Sequence, residues 1–139
     1  FAREDLSKLD LEAIRAGRIS GTERERWMLK AFGQEAARSI MRDNPEDFLS
    51  WEEQKRRIQA AQAQQQALRD AIALLPPYED IYKAMQQLGA LLTPAQCGID
   101  NALLNLSMRC AKDYRTRYTL FKLIAECGLE DEYLSEYPL

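Results

Sequence analysis

The chain has 139 residues and a formal net charge of −3, with 46% hydrophobic and 29% charged residues. These values are typical of a folded domain and argue against disorder. The slightly acidic balance argues against a general affinity for nucleic acid, and the absence of histidine removes the commonest general base and zinc ligand. The sequence has no valine and is rich in Ala, Leu, Gln, Glu and Arg, which predicts an all-α fold.

Helix-starting and helix-ending residues are frequent in the first third of the chain. Asp10 predicts the N-cap of a short helix over residues 11–16. Thr22 and Glu25 have the spacing of a capping box and predict the start of a second, amphipathic helix. Asn44-Pro45 ends that helix and begins another, because proline cannot donate in mid-helix but suits a first turn.

The longest predicted element covers about residues 50–75. Ser50 and Glu53 form a second capping-box pattern, and apolar or small side chains follow at three-four spacing from Trp51 to Leu75. Two glutamines and several alanines occupy this face, which favours one long helix packed along its own domain. A two-chain coiled coil through the same face is the alternative.

Shorter helices are predicted in the second half. One helix covers residues 78–88, Thr93-Pro-Ala-Gln96 forms a third capping box, and Asp100 caps a helix that begins at Asn101. A last helix runs from about residue 120 to 127. The chain contains no internal repeat and no linker long enough to separate two domains, so we expect a compact multi-helix domain over residues 1–139.

The cysteines and the hydropathy pattern indicate a cellular compartment. Cys97, Cys110 and Cys127 are odd in number, widely spaced and close to apolar helical positions, which predicts buried free thiols in a reducing cytoplasm. No apolar run approaches the roughly 20 residues of a membrane span, and no signal peptide precedes the first helix. We therefore expect a soluble cytoplasmic protein that binds neither membrane nor nucleic acid.

One segment breaks a local rule of helix electrostatics. Arg115 and Arg117 stand where the last helix begins, facing the positive end of its dipole. Two guanidinium groups beside free helix-start amides suit an anion such as a phosphate monoester, so Arg115, Arg117, Tyr118 and Thr119 form the predicted phosphate-binding residues. The alternative is that both arginines pair with carboxylates on neighbouring elements. No catalytic residue and no metal ligand is predicted in this chain.

Two segments of the C-terminal third carry a family resemblance. They are Leu88-Gly-Ala-Leu-Leu-Thr-Pro-Ala-Gln-Cys-Gly-Ile-Asp100 and Tyr114-Arg-Thr-Arg-Tyr-Thr-Leu120. Together they resemble the end of the sn-glycerol-1-phosphate dehydrogenase family, in the iron-dependent alcohol dehydrogenase and dehydroquinate synthase-like superfamily. Its members typically show a glycine followed by a Thr-Pro turn and Gly-Ile, then Arg-x-Arg-Tyr-Thr at the start of the last helix. The resemblance is specific over about 33 residues and diffuse elsewhere.

The resemblance implies the C-terminal helical region of an NAD(P)-dependent, metal-dependent oxidoreductase that reduces dihydroxyacetone phosphate. It also implies a dinucleotide-binding domain upstream in the same chain and a divalent metal (zinc or similar) held by one Asp and two His. None of these cofactor or metal roles matches a residue here, so we expect a segment that is inactive in isolation. The absence of an initiator Met before Phe1 fits that expectation, and a homo-oligomer is left open. The alternative function is a stand-alone helical protein–protein interaction module that uses the 51–75 face.

Overall fold

The computed structural model describes residues 1, 4–44 and 49–135, and every regular element in these ranges is helical, as predicted. A 3-10 turn at Leu6–Lys8 precedes the α-helices. These are α1 (Leu11–Ala16), α2 (Gly21–Asp43), α3 (Trp51–Ala63), α4 (Gln65–Ala73), α5 (Tyr78–Gln87), α6 (Asn101–Ala111), α7 (Leu120–Glu126) and α8 (Glu130–Ser135). Within the described ranges, no helix combines the length and apolarity needed to cross a bilayer.

The start of α1 is confirmed and the start of α2 is corrected. The carboxylate of Asp10 accepts the N–H groups of Glu12 and Ala13, both at 3.0 Å. At α2, the predicted cap at Thr22 is wrong, because Ser20 caps the helix and its Oγ accepts the N–H of Glu23 at 3.1 Å. Ser20 and Glu23 have the same spacing as Thr22 and Glu25, so the earlier pair begins the helix first.

The predicted long helical stretch is present over residues 51–73, but one residue interrupts it. Gln64 has φ −105° and ψ 18°, which separates α3 from α4. Ser50 caps α3 as predicted, through the N–H of Glu53 at 3.2 Å. The longest element is instead α2, which bends at Gly33, where φ is 72° and ψ is 171°. Glycine tolerates that conformation because it has no Cβ.

Two apolar clusters make up the core of the described residues. The first joins the 3-10 turn, α3 and α7 through Leu6, Ile58, Ala61, Leu123 and Cys127. The second joins α2 to α6 through Met28, Ala37, Ile40 and Cys110. Both therefore depend on contacts between elements that are distant in sequence.

The end of α2 also agrees with the sequence. The helix stops at Asp43, and the side-chain amide of Asn44 donates to the carbonyl of Ile40 at 2.9 Å. Asn44 is only 3% exposed, so this bond satisfies a buried polar group at the helix end. The helix predicted to begin at Pro45 falls outside the described residues.

Residues 74–100, which we call the apolar arm, contain α5 and its flanking turns. No residue of the arm is buried. Its exposed large side chains are Leu74, Leu75, Tyr78, Ile81, Tyr82, Met85, Leu88 and Leu91. The helix predicted over residues 78–88 is confirmed as α5, and Gly89 follows its end with φ 69°. The arm is therefore regular in structure, although the described part of the chain leaves its apolar face uncovered.

The cysteine prediction holds for two thiols and fails for the third. Cys110 and Cys127 are buried and free, whereas Cys97 is exposed. Cys97 lies in the turn between Thr93 and Gly98, away from both core clusters. Its position near apolar residues in the sequence therefore does not correspond to a packed helix face.

Candidate functional site

The predicted phosphate-binding residues lie in the irregular segment between α6 and α7. Arg115 and Arg117 are both exposed. The guanidinium carbon of Arg115 lies 5.1 Å from the ring centre of Tyr114, within cation–π range. Pairing of both arginines with carboxylates, the alternative considered above, is not found among the described residues.

The two neutral residues of the motif make contacts within the chain. Thr119 is the N-cap of α7, and its Oγ1 accepts the N–H of Lys122 at 3.4 Å. The hydroxyl of Tyr118 donates to Oε2 of Glu126 at 2.7 Å. The contacts of Thr119 and Tyr118 thus hold the segment against α7, whereas both arginines are exposed.

A charged network connects this segment to α3. The guanidinium of Arg57 reaches Glu126 at 3.3 Å and Glu53 at 3.2 Å, and it lies 5.4 Å from the ring centre of Tyr118. Hydrogen bonds from Arg56 and Arg57 hold the pKa of Glu53 at about 2. The network therefore fixes the Tyr118 side of the segment against α3.

Burial is the main influence on the two partly enclosed groups of this network. It raises the pKa of Glu126, although the Tyr118 hydroxyl and the charge of Arg57 oppose that rise. Burial also raises the pKa of Tyr118, and its bond to Glu126 acts in the same direction. When ionised, Glu126 would repel a second anion at Tyr118, so an anion at this segment would bind on the Arg115 and Arg117 side.

The other segment with the family resemblance lies at the end of the apolar arm. The capping box predicted there is complete, since Gln96 N–H donates to Thr93 Oγ1 at 3.3 Å and Thr93 N–H donates to Gln96 Oε1 at 3.0 Å. Leu88 and Leu91 in the same segment are 81% and 62% exposed. The three-four spacing of apolar residues predicted the helix, but that pattern carries no information about what covers its face.

The described residues do not fit the divalent metal that the resemblance implies. Within residues 1, 4–44 and 49–135, no three Asp, Glu or Cys side chains are placed to hold a metal ion. No protein-family model, curated protein or solved structure matches this chain. The features of the chain that bear on its function are therefore the family resemblance and the surfaces that the fold leaves uncovered.

Proposed function

We propose that this chain is the C-terminal helical region of an NAD(P)-dependent, metal-dependent glycerol-1-phosphate dehydrogenase-like oxidoreductase, and that it is not catalytic alone. The observation that carries the proposal is the position of the Leu88–Asp100 segment within the apolar arm. The arm exposes eight large apolar or aromatic side chains, and an exposed apolar surface of this kind is typical of a site that another structural unit covers. A helical region separated from its neighbouring domain would present such a surface.

In the assembled enzyme, the arm packs against the upstream dinucleotide-binding domain and forms one wall of the cleft between them. NAD(P) and the divalent metal would be held by residues outside this segment. There NAD(P)H would supply the hydride and the metal would polarise the carbonyl. A cytoplasmic location is part of the proposal, and the free, buried thiols of Cys110 and Cys127 support it.

The exposed arginines have a defined role in this proposal. Arg115 and Arg117 attract the phosphate group of the substrate, because guanidinium groups match its oxygens in charge and geometry. Arg117→Ala in the full-length enzyme is expected to weaken glycerol phosphate binding in calorimetry by about tenfold or more. Arg38→Ala, which removes an exposed arginine from α2, is the matched control and should leave binding unchanged. If neither variant changes binding, the arginines have no substrate role.

A stand-alone interaction module is the second candidate, with a binding face other than the 51–75 face. Gln54, Ile58 and Ala61 of the 51–75 face are buried within the chain's own core. The exposed face of α5, with Ile81 and Met85, is then the surface on which a partner helix would pack.

The sequence encoded upstream of Phe1 distinguishes the two candidate functions. The dehydrogenase proposal expects a glycine-rich strand–turn–helix upstream of Phe1. It also expects the longer chain, but not the 139-residue chain, to reduce dihydroxyacetone phosphate with NADH or NADPH. Absence of that upstream motif would contradict it.

Light scattering after size exclusion tests the module. A stable dimer of the 139-residue chain that Met85→Asp dissociates would favour the module. Gln86→Asp introduces the same charge at the adjacent exposed position of α5 and should leave such a dimer intact. If the unmodified 139-residue chain and both variants are all monomers, the result would count against the module.

A further inference from the structure

The longest helix of the described residues, α2, is interrupted near its middle. Gly33 has φ 72° and ψ 171°, a backbone conformation that is populated almost only by glycine. A Cβ atom built on Gly33 would meet no other atom within 4 Å. The need for glycine at this position therefore arises from the backbone conformation and not from crowding.

The interruption brings the two halves of α2 onto the same core cluster. Met28 in the first half and Ala37 in the second are 1% and 0% exposed, and both belong to the cluster that contains Cys110 of α6. The two residues are nine positions apart, which is about two and a half turns of a continuous helix, so without the interruption they would lie on opposite sides of α2. A continuous α2 can therefore not pack both of them against the α6 of its own chain.

The part of the chain before Gly33 is held by contacts that a second copy can supply equally well. Leu6 belongs to the same core cluster as Ile58 of α3, and Arg24 forms an ion pair with Asp113, just after α6. Each contact joins one residue before Gly33 to one residue after it. When two copies exchange an identical segment, the same contacts form between the copies, and this makes the exchange a low-cost route to a dimer.

We propose that α2 is a hinge between two states of the chain, the closed monomer seen in the structure and a dimer in which two copies exchange the part before Gly33. In the dimer, α2 is a continuous helix. Its second half stays on the α6 of its own chain, and its first half packs on the α6 of the other copy, so Met28 and Ala37 are buried on opposite sides of one helix. Glycine tolerates the interruption and disfavours a continuous helix, so Gly33 keeps the closed monomer dominant.

Gly33→Ala in the 139-residue chain tests the hinge, because alanine favours a continuous helix and disfavours the conformation at the interruption. Each copy should shift towards the continuous form by about tenfold or more, so the dimerisation constant, which involves two copies, should rise by about 100-fold or more. Light scattering after refolding from urea at several protein concentrations measures this constant.

Gly98→Ala is the matched control for this test. Gly98 also has a positive φ, 71°, and an open Cβ position, but it lies outside α2, so the variant should leave the dimerisation constant unchanged. A Gly33→Ala chain that folds and stays monomeric at every concentration would overturn the proposal. An equal rise of the dimerisation constant in Gly98→Ala would overturn it as well.

Two charge-reversed chains show whether segments are exchanged. Arg24→Asp and Asp113→Arg each place like charges together in a closed monomer, whereas an exchanged dimer with one copy of each restores opposite charges at both pairs. Refolding an equimolar mixture should therefore yield mixed dimers, which native mass spectrometry identifies by mass. Absence of mixed dimers would refute the exchange, and this result decides even where Gly33→Ala fails to fold.

The exchanged dimer is distinct from association through the apolar arm. Met85→Asp, which disrupts the exposed face of α5, should leave the mixed dimers intact. Loss of the mixed dimers in that variant would assign them to the arm and overturn the hinge. This inference does not depend on the dehydrogenase proposal, since neither the substrate nor an upstream domain enters the measurement.

Discussion

Ile58 in α3 and Ile81 in α5 lie in similar local sequence patterns but differ strongly in burial. Both lie on helices with apolar residues at three-four spacing, yet Ile58 is 0% exposed and Ile81 is 48% exposed. Ile58 contacts a cluster built from the 3-10 turn, α3 and α7. The difference shows that local sequence suffices to form each helix, whereas burial requires partners from elsewhere in the chain.

Polar contacts show the same division between the core and the apolar arm. In the core, Gln54 Nε2 donates to the carbonyl of Glu126 at 2.7 Å, across 72 positions of sequence. In the arm, the hydrogen bonds of the described residues are local, such as Ala90 N–H to the carbonyl of Met85 at 3.0 Å. The arm is thus held together by its own helix and turns. This is why we expect another structural unit to cover it.

The largest predicted difference between the two regions is in thiol reactivity. Burial raises the pKa of Cys127 from 9.0 to about 12, which lowers its thiolate fraction near neutral pH by about 1,000-fold. Burial raises the pKa of Cys110 as well. Ellman's reagent should therefore react quickly with Cys97 alone. Cys97→Ser should remove the fast phase, Cys110→Ser should retain it, and fast reaction of two or more native thiols would contradict the division.

A matched pair of isoleucine truncations sharpens the comparison in terms of stability. Ile58→Ala leaves a cavity in the first core cluster and should lower the free energy of unfolding by about 2–5 kcal/mol. Ile81→Ala truncates a half-exposed side chain that lies outside both core clusters, and it should change the free energy of unfolding by less than about 0.5 kcal/mol. Urea denaturation of both variants measures the two effects. Similar losses would mean that the arm is packed as firmly as the core.

Much of the local structure was predictable from the sequence, because caps and turns depend on residues that are close together. The N-caps at Asp10, Ser50 and Asp100 formed as predicted. The cap at Thr22 did not, because Ser20 offers the same chemistry two residues earlier. The choice between two equivalent local patterns cannot be made from spacing alone.

Gln65 illustrates a contact that local patterns do not reveal. Gln65 is one of the two glutamines on the 51–75 face, and in the sequence it served only as an argument against a two-chain coiled coil. In the structure its Oε1 accepts the N–H of Leu6 at 3.1 Å, and its Nε2 donates to the carbonyl of Glu4 at 3.0 Å. These bonds tie the start of the chain to α4, about 60 positions away, and that pairing depends on the tertiary fold.

A glutamine pair tests this polar contact against the arm. Gln65→Ala removes both bonds and leaves the N–H of Leu6 without that acceptor, whereas the carbonyl of Glu4 still accepts from Arg69. The free energy of unfolding should therefore fall by about 1–2 kcal/mol. Gln87→Ala in the exposed arm should cost less than about 0.5 kcal/mol. Thermal or urea unfolding measures the stability of both variants. If the two are equally stable, the bonds of Gln65 do not contribute to the stability of the fold.

The smallest expected effect is a pH dependence at the outer side of α3. The pKa of Glu53 is lowered from 4.5 to about 2 in the folded chain, so its contribution to stability is present above pH 4.5 and is lost as the pH falls towards 2. Glu53→Gln should therefore flatten the change of melting temperature in that range. Glu52→Gln removes a neighbouring exposed charge without removing these ion pairs and should keep the parent slope. If the melting temperature of Glu53→Gln changes with pH as steeply as that of the unmodified chain, the ion pairs do not form in solution.

The candidate sites were predictable to a smaller extent than the fold. Arg115 and Arg117 could be singled out from the sequence, because the unfavourable interaction between their charges and the helix dipole arises within one segment. The ion pair between Arg24 and the buried Asp113 was not predicted, because the two residues lie 89 positions apart and meet only where α2 packs against the end of α6. No spacing rule connects two such residues.

Hydrogen exchange of the backbone amides tests the contrast between core and arm most directly. In the 139-residue chain, peptides covering residues 54–61 should exchange only through global unfolding, whereas peptides covering residues 78–88 should exchange through local opening that costs much less free energy. Repeating the measurement at several protein concentrations separates local opening from self-association. Strong and concentration-independent protection of residues 78–88, equal to that of residues 54–61, would contradict an uncovered arm and remove the basis for the proposed neighbouring domain.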